Sequence, residues 1–550
     1  MLRKRGRYVV AEPVFERGER IALRPRDKKG AGPGEMVLLG HGKQGYRVVR
    51  RLGRPEVARD VLEALMLDRG LRRSFPRKVA DEPVTAIETP RRDLTDLPTF
   101  TIDPADAKDF DDAISADGER VWVHIADVSA YVRPGTALDA EAYRRGTSTY
   151  VPGAVEPMLP EAISNEACSL KSGVPRPAVT VEMQMSGVDV RSVSFFRSLI
   201  RSDARLDYGQ VDRVFAGEET ALEPWAVPLE RARAVARALA DRRTGALEVS
   251  SAEPVFEFDG AGQVAGVRHE PQTESHELIE HLMILANEQV ATHLAERKVP
   301  ALYRVHERPE PPAVAWMLER LASLEIPTPA VPKSMSPQQA GEIAAEASHL
   351  VAEHVRRSGH GSRALPVMVL RALKPAYYTP KNLGHAGLAS PRYCHFTSPI
   401  RRYPDLVVHR ALLASLGVDD VAPRSDSLPD AGVDASAAER AAMLVERDAD
   451  DVCLAFLLER TLAEVGREQA WEGEITGVIG AGVFVEFGPQ NFEGMLPVRK
   501  MRGDYFVLNQ HETALVGERS GRSLRLGDPV SVVVDRVDTA RGRVDLVEPE

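Results

Sequence analysis

The sequence predicts an α+β multidomain protein, a mixed α/β central unit flanked by two small β-barrel units. Three observations carry that prediction. The chain has 550 residues, more than one hydrophobic core holds, since domains run to roughly 100–200 residues. Short strand-like runs punctuated by glycine stand at both ends, and the middle mixes period-two apolar runs with long helical ones. A composition of 43% hydrophobic and 28% charged residues belongs to a globular chain, not a disordered one.

The first unit begins with strand patterns at Arg7 to Val10, Arg20 to Leu23, Glu35 to Leu39 and Tyr46 to Leu52, separated by glycines. Residues 1–80 hold 21 Lys and Arg against 9 Asp and Glu, although the whole chain carries a net charge of -10. This end is therefore suited to a polyanion, and short strands with interleaved cations fit an OB-type or cold-shock-type nucleic-acid-binding barrel. Helical spacing over Val57 to Leu71, followed by Pro76 and Pro83, places the first domain at 1–85.

The central unit, 86–465, has strand patterns at Val121 to Val128 and Val179 to Met185. Glu277 to Glu296 is a predicted helix with Leu278, Ile279, Leu282, Leu285, Ala286 and Val290 on one face. Ser436 and Glu439 have the spacing of a capping box, predicting a helix that starts there and runs to about Val465. Between these helices Asp419 to Asp434 is rich in Pro, Ser, Asp and Gly, the composition of a mobile loop.

In 466–550 short strands return at Glu474 to Val478, Gly482 to Phe487, Met495 to Val498 and Pro529 to Val537, which suits a second OB barrel. Phe484, Phe487 and Phe492 are candidates for a base-stacking surface, with core packing as the competing role. Such a surface would have to contribute much of the affinity, because from Trp471 onward there are 9 Lys and Arg against 13 Asp and Glu.

No apolar run approaches the roughly 20 residues that span a bilayer. The start, Met1 to Arg7, is basic but lacks the apolar stretch of a secretion signal, so a cytoplasmic location is expected, with no membrane partner. Cys168, Cys394 and Cys453 stand singly, which argues against zinc and against a disulfide framework.

The segment Thr101 to Ala113 concentrates Asp103, Asp106, Asp109, Asp111 and Asp112. A calcium loop starting at Asp103 fails, because Ala105, Ala107, Lys108 and Ile114 stand where oxygen ligands, glycine and a closing glutamate belong. A surface Asp-rich turn is the bland alternative, but apolar strands flank the segment and Ile102 and Phe110 interrupt it. Hard oxygen donors at this density suit Mg²⁺ or Mn²⁺ in phosphoryl chemistry, where cations clamp the attacking and leaving oxygens. A second run, His395 to Leu406, sets Arg401 and Arg402 beside Thr397, Ser398 and Tyr403 in a loop leading into a helix. Arginine's planar fork matches phosphate, and cationic donors stabilise the charge that develops there.

With these motifs in place the chain resembles the ribonuclease II and ribonuclease R family, the RNB exoribonucleases. The likeness runs from Pro76 to the end through TIDPADAKDFDDA, VHIADVSAYV at 123–132, STYVPG at 148–153, MLPEAISNEACSL at 158–170, ELIEHLMILANE at 277–288, LYRVHERP at 302–309 and HFTSPIRRYPDLVVHR at 395–410. It implies an RNB catalytic domain between a cold-shock-like and an S1 domain, and processive 3′→5′ hydrolysis of single-stranded RNA to nucleoside 5′-monophosphates by a monomer. It also implies that Asp103, Asp109, Asp111 and Asp112 hold the metal, that Arg401 serves the transition state, that Tyr150 stacks near the 3′-terminal base, and that Tyr208 and Glu280 recognise the ribose end. Asp106 falls at a variable position of the motif.

The likeness has departures. Glu248-Val249 stands where the ribonuclease II type has a second stacking aromatic, so a weaker clamp is expected. One barrel stands where longer members carry two, and the Lys-rich tail of typical ribonuclease R members is absent, which counts against unwinding of duplexes. The S1 segment, with LPVRKMRGDYF at 496–506, is closer to the ribonuclease R type. The competing readings are a non-catalytic RNA-binding protein on the same fold and a nuclease directed at DNA or oligonucleotides.

Overall fold

The computed structural model describes residues 1–6, 8–16, 18–42, 45–243, 252–332, 334–418 and 421–550. The N-terminal strands are β1 (Leu2–Arg5), β2 (Tyr8–Ala11), β3 (Ile21–Leu23), β4 (Met36–Gly42) and β5 (Gly45–Gly53). Their hydrogen-bond ladder falls into two pieces, a β1-β2-β3 meander and a β4-β5 hairpin. Leu2 joins the two pieces: its N–H donates to the Glu35 carbonyl at 2.8 Å and its carbonyl accepts from Gly34 N–H at 2.8 Å. Leu2, Ala11, Leu23, Ala31 and Val48 form the small core of this unit. Gly53 has φ +91°, and a side chain there would collide with Asp60, whose carboxylate accepts the Arg54 N–H at 2.8 Å. That turn admits helix α1 (Ala58–Asp68), and a short α2 (Arg77–Ala80) follows.

The central sheet has seven strands in the order β14-β7-β8-β9-β12-β13-β6. They are β6 (Arg92–Leu94), β7 (Phe100–Asp103), β8 (Asp112–Asp117), β9 (Arg120–Ala126), β12 (Pro175–Ser186), β13 (Asp189–Arg201) and β14 (Ala204–Asp207), with the hairpin β10 (Thr149–Val151) and β11 (Ala154–Glu156) lying outside the sheet. The interior pairs are antiparallel, and the two edge strands run parallel to their neighbours. The expected strands over 121–128 and 179–185 are β9 and β12, near-continuously buried because both faces of the sheet are covered.

The helices that cover it are α3 (Ala137–Arg145), α4 (Tyr208–Phe215), α5 (Ala226–Arg242) and α6 (Glu274–Glu296), with the hairpin β15 (Ala252–Phe258) and β16 (Val264–Pro271) between the last two. Ile114, Val123, Ile125 and Val181 of the sheet pack with Leu229 and Ala236 of α5 and Leu282 and Leu285 of α6. α6 starts three residues earlier than its apolar stripe indicates, because Thr273 and His276 form its capping box. Next come β17 (Tyr303–Val305), a helical group α7 (Pro311–Ser323), α8 (Pro337–Ser358) and α9 (Ala364–Arg371), then β18 (Tyr377–Thr379), α10 (Tyr403–Ser415) and α11 (Leu428–Val465).

α11 corrects two expectations. The segment 419–434 is not a loop throughout: residues 419 and 420 lie outside the described residues, and from Leu428 the chain is helical, started by Pro429 in the first turn with Leu428 and Ala431 buried. Ser436 and Glu439 are not a cap. Ser436 sits inside the helix, where its hydroxyl donates to the Gly432 carbonyl at 2.7 Å and accepts from Tyr378 N–H at 2.9 Å, and Glu439 pairs with Arg304.

The C-terminal unit is a closed barrel, β19-β20-β21-β26-β25, made of β19 (Ala470–Ile479), β20 (Gly482–Phe487), β21 (Phe492–Pro497), β25 (Pro529–Asp538) and β26 (Arg543–Val547), with a small sheet of β22 (Phe506–Leu508), β23 (Ala514–Gly517) and β24 (Ser523–Arg525) beside it. Phe487 and Phe492 are barrel core, with ring centroids 6.0 and 6.3 Å from that of Trp471. Only Phe484 of the three phenylalanines is left partly exposed, so the stacking surface expected from all three is not formed. Closing a five-stranded barrel needs large apolar side chains at its centre, and that requirement takes the other two.

Candidate active site

β7 ends at Asp103 and β8 starts at Asp112, so the acidic segment is the loop joining two neighbouring strands of one sheet. Burial of Ile102 and Phe110 pins the loop to the core. Ser169 clamps its middle: its hydroxyl accepts the Phe110 N–H at 3.0 Å and donates to the Lys108 carbonyl at 2.8 Å. Leu170 N–H donates to the Phe110 carbonyl at 3.0 Å, and Ala126 N–H to that of Asp111 at 2.8 Å. Asp106 points out to solvent.

Burial pushes the carboxyls of Asp103, Asp111 and Asp112 above the ordinary carboxylate range. The neighbouring Asp112 carboxylate raises Asp103 further. Arg401 opposes the rise at Asp111 and Asp112, and Arg402 also opposes it at Asp112. Asp111 Oδ1 accepts the Ile400 N–H at 2.9 Å, and Oδ2 lies 3.8 Å from Arg401 Nε.

The two arginines are built differently. Arg402 is mostly buried and forks onto Asp405, with both bonds at 2.9 Å, and Asp405 also accepts the Ser398 N–H at 2.8 Å. That ion pair is the scaffold of the turn, and Pro404 then starts α10. Arg401 keeps a side chain 48% exposed and held only lightly, by Ser398 Oγ at 3.1 Å and by Asp111, so its guanidinium is open to an incoming anion.

Tyr150 on β10 reaches the same place, its hydroxyl donating to Asp109 Oδ2 at 3.3 Å. Its backbone N–H donates to Glu446 of α11 at 2.8 Å, and Ser148 N–H donates to the Arg401 carbonyl at 2.9 Å, so β10, α11 and the arginine turn are tied together. Tyr208, first residue of α4, stacks on His276 with centroids 3.8 Å apart and ring planes at 13°. It directly follows Asp207, the register partner of Asp103, and burial and the carboxylates of Asp112 and Asp103 push its hydroxyl up. Glu280 lies one turn along α6 from His276, is exposed, and accepts from Gln272 Nε2 at 2.6 Å. Val249 lies outside the described residues.

Thus Asp103, Asp109, Asp111, Asp112, Arg401, Tyr150 and Tyr208 converge from β7, the loop after it, β8, the arginine turn, β10 and α4. Sequence reasoning missed Glu446 and His276. His276 had a signal, since Thr273 precedes it at capping-box spacing; Glu446 had none, because a glutamate on a long helix reads as a solvated charge.

The donor set fits a divalent cation. Asp103 Oδ2 is buried without a hydrogen-bond partner, and mutually raised carboxyls relax when a cation neutralises them. Among the described residues no three His, Cys, Asp or Glu side chains already stand at ligand spacing. No helix among the described residues is long and apolar enough to cross a membrane.

Comparison with known proteins places this geometry. Residues 91–417 match the RNB domain and residues 464–547 the S1 RNA binding domain. Ribonuclease R of Aquifex aeolicus is 34% identical over 99% of this chain and 81% of its own length. Ribonuclease R of Escherichia coli is 36% identical over 83% of this chain but only 57% of its own length, so the chain spans little more than half of that relative. The apo form of Mycoplasma genitalium RNase R superposes with a TM-score of 0.86 at 25% identity, covering 98% of this chain and 88% of that one. The same protein in complex with ribose-methylated single-stranded RNA gives 0.85 at 24% identity, over the same 98% and 88%. A single catalytic model spanning more than half of the chain, with ribonuclease R relatives above 30% identity over most of it, leaves one assignment: the chain belongs to the ribonuclease II and ribonuclease R family of RNB exoribonucleases.

Proposed function

We propose that this protein is a processive 3′→5′ exoribonuclease of RNA turnover that hydrolyses single-stranded RNA to nucleoside 5′-monophosphates. The observation that carries the proposal is the intact set of Asp103, Asp109, Asp111 and Asp112 on one loop, facing the half-exposed guanidinium of Arg401. A carboxylate set of this kind costs stability unless it is used, because buried acids repel one another and are poorly solvated.

In this reading the four aspartates hold Mg²⁺ or Mn²⁺, which when bound supplies Lewis-acid activation of water and neutralises phosphate charge. Arg401 donates to the non-bridging phosphate oxygens as negative charge builds on them. Tyr150, fixed by Glu446 and Asp109, presents a ring for the last base. Tyr208, braced by His276, and Glu280 read the ribose, whose 2′-hydroxyl separates RNA from DNA. Residues 1–85 and 466–550 are assigned to RNA binding and 86–465 to catalysis.

The test is a time course on a 5′-labelled RNA with a 3′ overhang, on its DNA counterpart, and on each with EDTA. Stepwise shortening of the RNA alone, abolished by EDTA, is the expected result. RNA binding without hydrolysis in Mg²⁺ or Mn²⁺ would favour a binding protein on the same fold, and equal loss of DNA would favour the broader nuclease.

A further inference from the structure

One charged side chain touches the acidic loop without touching its acids. β14 runs parallel to β7, with Arg205 opposite Thr101 and Asp207 opposite Asp103, so Arg205 leaves the sheet edge directly beside the loop. Its Nη2 donates to two successive main-chain carbonyls, Pro104 at 2.8 Å and Ala105 at 2.6 Å. The guanidinium carbon also lies 5.4 Å from the centroid of the Phe110 ring. Pro104 and Ala105 open the loop and Phe110 stands near its close, so one planar cation spans both limbs. Arg205 Nε is buried and has no hydrogen-bond partner.

The choice of acceptors matters. Arg402 neutralises Asp405 by forking onto it, and a carboxylate consumed in that way offers little to a metal. Arg205 instead places a positive charge near the cluster while bonding only to carbonyls, which leaves the aspartate oxygens available. The four carboxylates repel one another, which works to spread the loop that carries them. A brace across the limbs opposes that spreading.

We propose that Arg205 is a positioning residue that holds the Asp103–Asp112 loop in the conformation able to take a divalent cation. The inference rests on the proposed function and deepens it. Arg205 acts through the loop backbone, and lysine is an incomplete substitute, since an ammonium can donate to the carbonyls but has no flat face to lie over the Phe110 ring.

The experiment uses the full chain and reads Mn²⁺ directly. Free Mn²⁺ is titrated by its electron paramagnetic resonance signal without RNA, for wild type, Arg205→Met and Arg205→Lys, with Asp112→Asn as the site control. kcat and KM on a 5′-labelled single-stranded RNA are then measured across Mn²⁺ concentrations. Arg205→Met is expected to weaken Mn²⁺ binding about tenfold, the scale of losing an outer partner of a metal site. It should also move the half-activating Mn²⁺ upward by the same factor, leave KM unchanged and recover kcat at saturating ion, with Arg205→Lys between the two. Unaltered Mn²⁺ binding in folded Arg205→Met overturns the proposal. So does a raised KM with an unmoved Mn²⁺ curve, which would make Arg205 a phosphate contact. Should Arg205→Met fail to fold, Arg205→Lys decides between the same outcomes. Wild-type protein that binds Mn²⁺ through Asp112, with the expected loss in Arg205→Met, yet leaves RNA intact would overturn the exoribonuclease reading and sustain the role of Arg205.

Discussion

At the scale of single residues, function turns on side chains that are nearly alike in sequence and different in their partners. Arg401 and Arg402 are adjacent, yet Arg402 is paired with the buried Asp405 and Arg401 is half exposed at the carboxylate cluster. Arg401→Ala is therefore expected to lower kcat by about 10² or more with little change in KM, through lost charge stabilisation in the transition state. Arg402→Ala leaves Asp405 buried and unpaired and should cost about 3–5 kcal/mol of stability, read as a lowered midpoint in urea unfolding. Asp112→Asn should abolish hydrolysis while single-strand affinity stays within about threefold, because a donor to the cation is lost and the flanking units remain. Turnover by Asp112→Asn, measured with the same labelled RNA, would remove that residue from the metal set.

At the scale of elements, α11 does the most to organise the molecule. Its 38 residues run about 57 Å, at 1.5 Å per residue, past β18, β10, α1 and the C-terminal barrel. Gly432 lies against β18 so closely that an added Cβ would stand 2.6 Å from the Tyr378 carbonyl oxygen and 3.4 Å from Thr379 Cα. Gly432→Ala is accordingly expected to destabilise the protein by about 1–3 kcal/mol despite alanine's better helix propensity, and thermal melting measures it. The start of this helix is hidden in its composition: polar residues over 419–434 have the character of a loop, but Leu428, Ala431 and Ala435 find a buried face that only the fold supplies.

At the scale of the whole molecule, the two flanking units are not independent beads. Val61, Leu62 and Leu65 of α1, Val452, Cys453 and Leu458 of α11, and Val485, Phe487 and Leu546 of the barrel belong to one apolar cluster. Removing residues 1–80 would expose that cluster, so single charge changes are the cleaner probe of RNA binding. Arg47 is exposed on β5, and Arg47→Ala should reduce the slope of log affinity against log salt by about 0.7 if it meets a phosphate.

Where α11 meets the barrel, Asp451 is pushed up to about 6 by burial and by Glu493 across the junction, and Asp450 to about 7 by burial, Asp451 and Glu446. Carboxyls raised in the folded state bind protons there that the unfolded chain releases. Stability is therefore greater at low pH and falls as pH rises from the unfolded value near 4 through about 7. In EDTA the melting temperature should drop by several degrees between pH 5 and pH 8, and the paired change Asp450→Asn with Asp451→Asn should flatten that decline.

Much of the site is legible in the sequence, since the acidic loop, the arginine turn and STYVPG are short contiguous segments whose chemistry is local. The sequence by itself determined the residue types that can hold a cation and meet a phosphate, the strands and helices with strong periodicity, and the basic first unit. Tertiary structure alone decided which arginine stays open, which phenylalanines fill a barrel instead of facing a base, and which distant residues brace the site, as Ser169, Glu446, His276 and Arg205 do. The physical reason is that burial and pairing are properties of neighbours brought together by folding: a glutamate 296 positions from Tyr150 carries no mark in sequence of the hydrogen bond that it will accept.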